Sequence, residues 1–292
     1  MRITCLLLAV VFAAGLPACG GESAVAPVLK FTAIPATSTT ELAAKFQPLA
    51  LHLSRELGVT VEYVPTRDYA ASVEAFINGD VQLAWFGGLS GVRARRAVAG
   101  ARAIAQGKVD PEYRSYFIAN ASAGISPSDT FPTALADKAF AFGSKGSTSG
   151  RLMPEHFIRK HTGKSPREFF GKEMFFSGAH DKTAQLVQAG TFDAGAMDYR
   201  TYDRMVAEGR IDPAKCVVIW KTPVYPDYNW TAHPDVDEAF GAGTIGRLRA
   251  VLIGITDREL LAAVNRPEGL IPAENEEWDA LAELAESLGL LR

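Results

Sequence analysis

Short apolar runs alternate with stretches of helical spacing along most of this chain, and one polar break at Ser122–Thr130 splits the alternation into two series. Before the break the pattern predicts strands at Val28–Ile34, Thr60–Val64, Val81–Trp85, Arg102–Ala105 and Tyr116–Ala119, with helices at Thr40–Leu57, Tyr69–Asn78 and Leu89–Ala97. After it come a strand through Lys138–Gly143, a helix over Arg151–His161, a strand at Glu173–Phe176, a helix over Asp181–Gln188, a strand at Phe192–Met197 and a helix from Tyr199. Each series needs its own sheet covered by helices, so the fold class is α/β with two lobes. A strand at Cys216–Trp220, extended chain at Tyr225–Ala232 and helices at Val236–Ala250, Arg258–Val264 and Glu276–Leu288 complete the expectation.

The segment Phe142-Gly143-Ser144-Lys145-Gly146-Ser147-Thr148-Ser149-Gly150 lies at one of these strand-to-helix turns. A helix start presents unpaired N–H groups and the positive end of its dipole, and the hydroxyls of Ser147, Thr148 and Ser149 add donors at the same point. That composition suits an anion. It does not suit a nucleotide phosphate loop, because no Lys-Ser or Lys-Thr pair follows a correctly spaced second glycine. An ordinary Ser/Thr helix cap is the competing reading.

Residues Cys5–Ala18 form an apolar run after Arg2, too short to span a bilayer and ending in Leu16-Pro17-Ala18-Cys19-Gly20-Gly21. This is the pattern of a secretion signal, and Leu16–Cys19 resembles the bacterial lipobox whose cysteine is lipidated. The expected division is a signal peptide at 1–18 and a lipidated tether at 19–27, with Cys19 as the anchor. A leader cut elsewhere, removing Cys19, is the alternative. Without residues 1–18 only Arg2 is lost from the 30 basic residues and none of the 33 acidic ones, leaving a net charge of −4, which disfavours nucleic acid as a partner. About 270 residues, in a chain 48% hydrophobic, suffice for two lobes. With Cys19 acylated, Cys216 is the one thiol left and no intrachain disulfide can form. The five histidines show no ligand-like spacing, so neither a metal nor another cofactor is expected.

Further matches are spread along the chain: Asp68-Tyr69, Asn78-Gly79-Asp80-Val81-Gln82-Leu83-Ala84-Trp85-Phe86-Gly87, Gly146–Gly150, Ser177-Gly178-Ala179-His180-Asp181 and Phe192–Asp198. With these the mature chain resembles the substrate-binding lipoproteins of ABC importers in the phosphonate, phosphite and phosphate family. Within it, Ala84–Gly91 and Pro226-Asp227-Tyr228-Asn229-Trp230-Thr231 look most like a subgroup labelled as selenate-transporter binding proteins. The resemblance implies a type II periplasmic-binding-protein fold with two hinge crossings, placed near Phe117–Asn120 and Val218–Thr222. One lobe would comprise 28–117 with 223–292 and the other 118–222, with the ligand between them. It also implies that Ser147, Thr148, Ser149 and His180 grip a tetrahedral oxyanion from one side while Tyr69, Trp85 and Phe86 face it from the other. The partners implied are a small oxyanion, a permease and an ATPase, with the protein itself a monomer.

Each residue has a plainer reading. Trp85 and Phe86 suit a core, and Asp181 and Asp198 suit first-turn or capping acids. Their alternative role is to accept a proton-bearing ligand. Thr39, at the first strand-to-helix turn, faces the same crevice or simply caps the helix. A secreted hydrolase is disfavoured, because Gly146–Gly150 centres Thr148 where a nucleophile elbow needs serine, and adjacent His180 and Asp181 diverge on a helix. A selenate- or sulfate-type binder and an anion-sensing receptor module remain open alternatives.

Overall fold

The computed structural model describes residues 26–291. Cys19 lies outside them, and the side chain of Thr39 is likewise outside what is described. The first series reads β1 (Val28–Ala33), α1 (Thr39–Leu57), β2 (Thr60–Tyr63), α2 (Tyr69–Ile77), β3 (Leu83–Phe86), α3 (Gly88–Ala97) and β4 (Arg102–Gly107). The second reads β5 (Ser115–Asn120), β6 (Phe140–Phe142), α4 (Met153–Thr162), α5 (Pro166–Phe170), β7 (Phe175–Phe176), α6 (His180–Gln188), β8 (Ala194–Asp198), α7 (Tyr199–Ala207) and β9 (Cys216–Lys221). The chain then returns through β10 (Asn229–Ala232), α8 (Asp235–Phe240), α9 (Thr244–Ile253), α10 (Arg258–Ala263), β11 (Leu270–Pro272) and α11 (Asp279–Ser287).

Two mixed sheets result, one in each lobe, ordered β11-β4-β10-β3-β1-β2 and β7-β6-β8-β5-β9. The resemblance implied parallel-type sheets, but β10 enters antiparallel to both β3 and β4, and β5 is antiparallel to β8 and β9. Strands that come back from the other lobe have no helical crossover to turn them round, so they run opposite to their neighbours. Strand pairing also bears on where the chain passes between the sheets. The spans 117–120 and 218–221 belong to the paired strands β5 and β9, inside the second sheet or at its edge, and Thr222 directly follows β9. The chain leaves the first sheet after Gly107 and re-enters it at Asn229, so the crossings are 108–114 and 222–228, bridged at Tyr113 and Tyr225.

One helix expected over Val236–Ala250 is two, because Gly241 and Gly243 adopt φ of 94° and 84° and end α8 before α9 begins. The short α5 has a signal that the periodicity missed: Ser165 and Glu168 form a reciprocal capping box ahead of Pro166.

Aromatic packing holds each sheet. Phe31 and Trp230 on adjacent parts of the first sheet meet Phe46 of α1, with ring centroids 5.8 Å and 6.4 Å apart from their partners. Truncating Phe46 to alanine there would cost about 3–5 kcal/mol. In the second lobe Phe117, Phe140, Phe131 and Trp220 make the equivalent cluster. Cys216 is buried against Ala184, and burial pushes its thiol up to about 12, which makes it an inert packing residue.

Candidate functional site

The carboxyl ends of β1, β3, β6 and β8 feed helices, and hydrogen bonds tie these turns together across the crevice between the sheets. Leu89 N–H of α3 donates to Thr148 Oγ1 at 3.0 Å, and Ser90 Oγ donates to the Gly146 carbonyl at 3.0 Å. His180 N–H, opening α6, donates to the Ala36 carbonyl at 3.1 Å. Tyr69, at the start of α2, packs so tightly on Gly146 that a Cβ there would lie 3.1 Å from the tyrosine Cβ. The crevice is closed, and the residues lining it are buried.

Ser147 precedes a π-turn over Thr148–Leu152, closed by Leu152 N–H to the Ser147 carbonyl at 3.1 Å. The wide first turn leaves amides at the helix start without intrahelical partners. Ser147 Oγ accepts from Gly150 N–H at 2.9 Å and lies 3.5 Å from His180 Nε2. Gly150 is needed because a Cβ would come 2.9 Å from Gly143 Cα and 3.1 Å from His180 Cε1. Ser149 is fixed through its carbonyl, which accepts from Ser115 Oγ at 2.8 Å.

His180 Nδ1 accepts from Asp198 N–H at 3.3 Å, so the proton of a neutral ring is assigned to Nε2. Asp198 Oδ1 caps α7 through Thr201 N–H and accepts from the Tyr113 hydroxyl, both at 2.8 Å. Its other oxygen, Oδ2, lies 3.4 Å from His180 Nε2 and completes no hydrogen bond. Burial opposes its charge, but the His180 ring, the Thr201 amide and the Tyr113 hydroxyl outweigh that and hold it below the ordinary carboxylate value.

Asp227 is the residue that sequence reasoning missed. It sits in the second crossing, fully buried, with Oδ1 accepting from Gly88 N–H at 2.9 Å and Oδ2 without a partner. Burial pushes its carboxyl up to about 7, against the Gly88 amide and the Thr148 hydroxyl, with the charges of Asp110 and Asp198 adding to the rise. The stretch Pro226–Thr231 carried family wording but no periodic signal, so nothing marked Asp227 as a site residue. The Tyr69 hydroxyl, directed towards Ser147 and Tyr228, also completes no hydrogen bond.

The structure thus brings together Ser147, Thr148, Ser149, His180, Tyr69 and Asp198. Trp85 joins them indirectly, stacked on Tyr228 at 5.5 Å and lining a cavity of about 50 Å³ with Ile34, Thr37, Tyr113, Asp198 and Arg266. Phe86 does not join, because alternation along β3 turns its ring into the core against Phe76, 5.6 Å away. Asp181 does not either: Oδ1 accepts from Lys182 N–H at 2.8 Å, and Oδ2 lies 3.8 Å from the Arg210 guanidinium, which balances its charge. The N-cap position of α1, expected at Thr39, falls on Ser38, whose side chain makes no capping bond. Among the described residues no group of three or more His, Cys, Asp or Glu could hold a metal.

The family described as "ABC transporter, phosphonate, periplasmic substrate-binding protein" matches residues 31–278. PhnD1 of Prochlorococcus marinus (strain MIT 9301), named a probable phosphite-binding protein of an ABC transporter, is 35% identical over 272 residues, 91% of each chain. The phosphate-import protein PhnD of Mycolicibacterium smegmatis is 32% identical over 235 residues, covering 76% of this chain and 70% of its own. The structure of the Prochlorococcus PhnD1 with methylphosphonate superposes with a TM-score of 0.85, covering 90% of this chain and 98% of that one. A binding component of a phosphonate ABC transporter from Pseudomonas aeruginosa shares the fold, with a TM-score of 0.76 at 21% identity over 89% of this chain and 86% of its own.

Proposed function

The chain belongs to the periplasmic substrate-binding proteins of phosphonate ABC transporters, and from that premise we propose that its cleft captures a proton-bearing phosphorus oxyanion, phosphite or a small phosphonate. The protein is a transport component of the extracytoplasmic space, serving a membrane permease and ATPase, and not an enzyme. In this reading Ser147, Thr148, Ser149, Tyr69 and His180 supply donors, Asp198 and Asp227 supply acceptors, and Trp85 and Tyr228 wall the site.

The observation that carries the reading is that, of the seven buried polar atoms without partners among the described residues, three belong to residues of these turns and the second crossing: the Tyr69 hydroxyl, Asp198 Oδ2 and Asp227 Oδ2. Each such atom costs about 1–3 kcal/mol while unpaired, so a ligand that satisfies all three gains that much by entering. An ionised carboxylate only accepts. Asp198, held below its ordinary value, is the ionised acceptor near neutral pH, and a ligand facing it gains by bringing a proton, which a P–OH group can do and sulfate or selenate cannot. The names of the Prochlorococcus relative and of its methylphosphonate complex support the same ligand class.

We propose further that the lobes meet at the crossings 108–114 and 222–228, that the protein is a monomer, and that Cys19 anchors it as a lipoprotein. Calorimetry tests the ligand. Phosphite or methylphosphonate should bind while sulfate and selenate compete weakly; tight selenate binding with no response to the phosphorus anions would overturn the reading.

A further inference from the structure

Behind the aromatic wall of the cleft lies a buried ion pair whose two side chains make no hydrogen bond to the side chain of any proposed ligand group. Arg266 is 2% exposed and Asp110 is fully buried, and the guanidinium grips the carboxylate with both prongs, Nε to Oδ2 at 2.7 Å and Nη2 to Oδ1 at 2.5 Å. The same guanidinium carbon lies 4.8 Å from the ring centre of Tyr228, 5.1 Å from Tyr113 and 5.4 Å from Trp85.

The pair also joins three separate pieces of chain. Asp110 Oδ2 accepts from Gly107 N–H at 2.7 Å at the end of β4, and the Asp110 carbonyl accepts from Asp227 N–H at 3.1 Å in the second crossing. Arg266 arrives from the segment after α10, its Nη1 donating to the carbonyls of Val264 and Asn265 at 3.0 Å each. Gly107 makes room for it: a Cβ there would sit 2.4 Å from Arg266 Cδ and 2.5 Å from Asp110 Oδ2.

We infer that Arg266 and Asp110 are positioning residues for the anion site, fixing both crossings and the ring planes of Trp85, Tyr113 and Tyr228 against the first sheet. A buried ion pair is a poor device for stability alone, since apolar residues of similar volume hold a core as well or better. Its planar fork is suited to orientation, because its carbon lies within 4.8–5.4 Å of three ring centres while its edge is locked to Asp110. Tyr113 and Asp227 pass the constraint on: one donates to Asp198, and the other is bonded to the backbone of Asp110. The inference rests on the proposed anion site.

The test compares the parent with Arg266→Lys, Asp110→Asn and the double variant Asp110→Asn/Arg266→Met. Three readouts are taken: affinity for methylphosphonate and phosphite, the ligand-free melting temperature, and the near-ultraviolet circular dichroism of the ligand-free aromatic wall. Arg266→Lys keeps the charge but not the fork. It should weaken binding by about tenfold or more, the size seen when outer partners of a preorganised site are lost. The double variant removes the pair without stranding a charge, and it should likewise bind weakly and change the near-ultraviolet spectrum while remaining folded. Affinity within twofold of the parent, in variants that keep the parent's near-ultraviolet spectrum, would overturn the inference. Should the parent bind neither anion, the anion reading fails by itself, and an altered or unaltered ligand-free spectrum still decides whether the pair sets the wall.

Discussion

Glu41 of α1 and Arg204 of α7 meet across the mouth of the cleft, Oε1 to Nη1 at 2.7 Å, although one helix packs on the first sheet and the other on the second. Arg210 extends the contact at 3.4 Å from the other oxygen of Glu41, and it in turn faces Asp181. These charges pair only when the lobes are together, so they favour the closed form. Glu41→Gln should weaken anion binding by roughly threefold to fivefold, about 0.5–1 kcal/mol for a part-exposed pair, and the difference should shrink at high salt. Burial raises the Glu41 carboxyl, but Lys45 and Arg204 outweigh it and hold it below its ordinary 4.5. The contribution is therefore intact above about 4.5 and is lost as pH falls through the lowered value. Equal affinity of parent and variant at low salt, measured by calorimetry, would show that the rim plays no part in closure.

Ser147 has two tasks in the structure, and they predict separable losses. Its Oγ accepts from Gly150 N–H, which is a helix cap, and its hydroxyl hydrogen is free to reach a ligand oxygen. Ser147→Ala should lower stability by about 1 kcal/mol through the lost cap and weaken binding by about 1.5–3 kcal/mol through the lost charge-assisted bond. Ser149→Ala should show mainly the second effect. Chemical denaturation read beside titration separates the two, and parent-like affinity in both variants would move the anion elsewhere.

What the sequence disclosed follows from what is local. Most of the helix and strand spacing is written in neighbouring residues and is found near where the pattern placed it, apart from the helix over Val236–Ala250, which is two, and the short α5; Ser147–Ser149 lie at a strand-to-helix turn as expected. Asp227, Tyr113 and Arg266 were not legible, because each matters through partners far along the chain: Gly88 for one, Asp198 for the next, Asp110 for the last. The segments that link the two sheets were not legible for a related reason. Strands β5 and β9 read as apolar crossings, and only their pairing with each other shows that both belong to the second sheet. Phe86 looked equivalent to Trp85, yet the alternation of a strand sends the two rings to opposite faces.

Cys19 predicts where the protein resides. If the thiol is acylated after removal of 1–18, the mature chain should fractionate with membranes, held by its lipid and the short tether. Cys19→Ala should release it as soluble protein that still binds the anion. Retention of a Cys19→Ala protein on membranes would argue against the lipobox and for another anchor.

Asp227 predicts a dependence on pH with a definite sign. Its carboxyl is pushed from an ordinary 3.8 up to about 7 in the folded chain, chiefly by burial. Between those values the folded protein holds a proton that the unfolded chain has released. The stability this group confers is therefore fully present below about pH 4 and is lost as pH rises through about 7, by at most about 4 kcal/mol. Asp227→Asn cannot ionise, so its melting temperature should vary less between pH 5 and pH 8 than the parent's. Binding should respond in the opposite direction to stability: the ionised carboxylate accepts a P–OH proton and repels an anion without one, so the variant should lose phosphite and methylphosphonate affinity while gaining selenate affinity relative to them. Melting curves at both pH values and competition calorimetry near pH 7 make the measurement. A variant with the parent's pH profile and unchanged preference among phosphite, methylphosphonate and selenate would show that Asp227 neither titrates in this range nor faces the ligand.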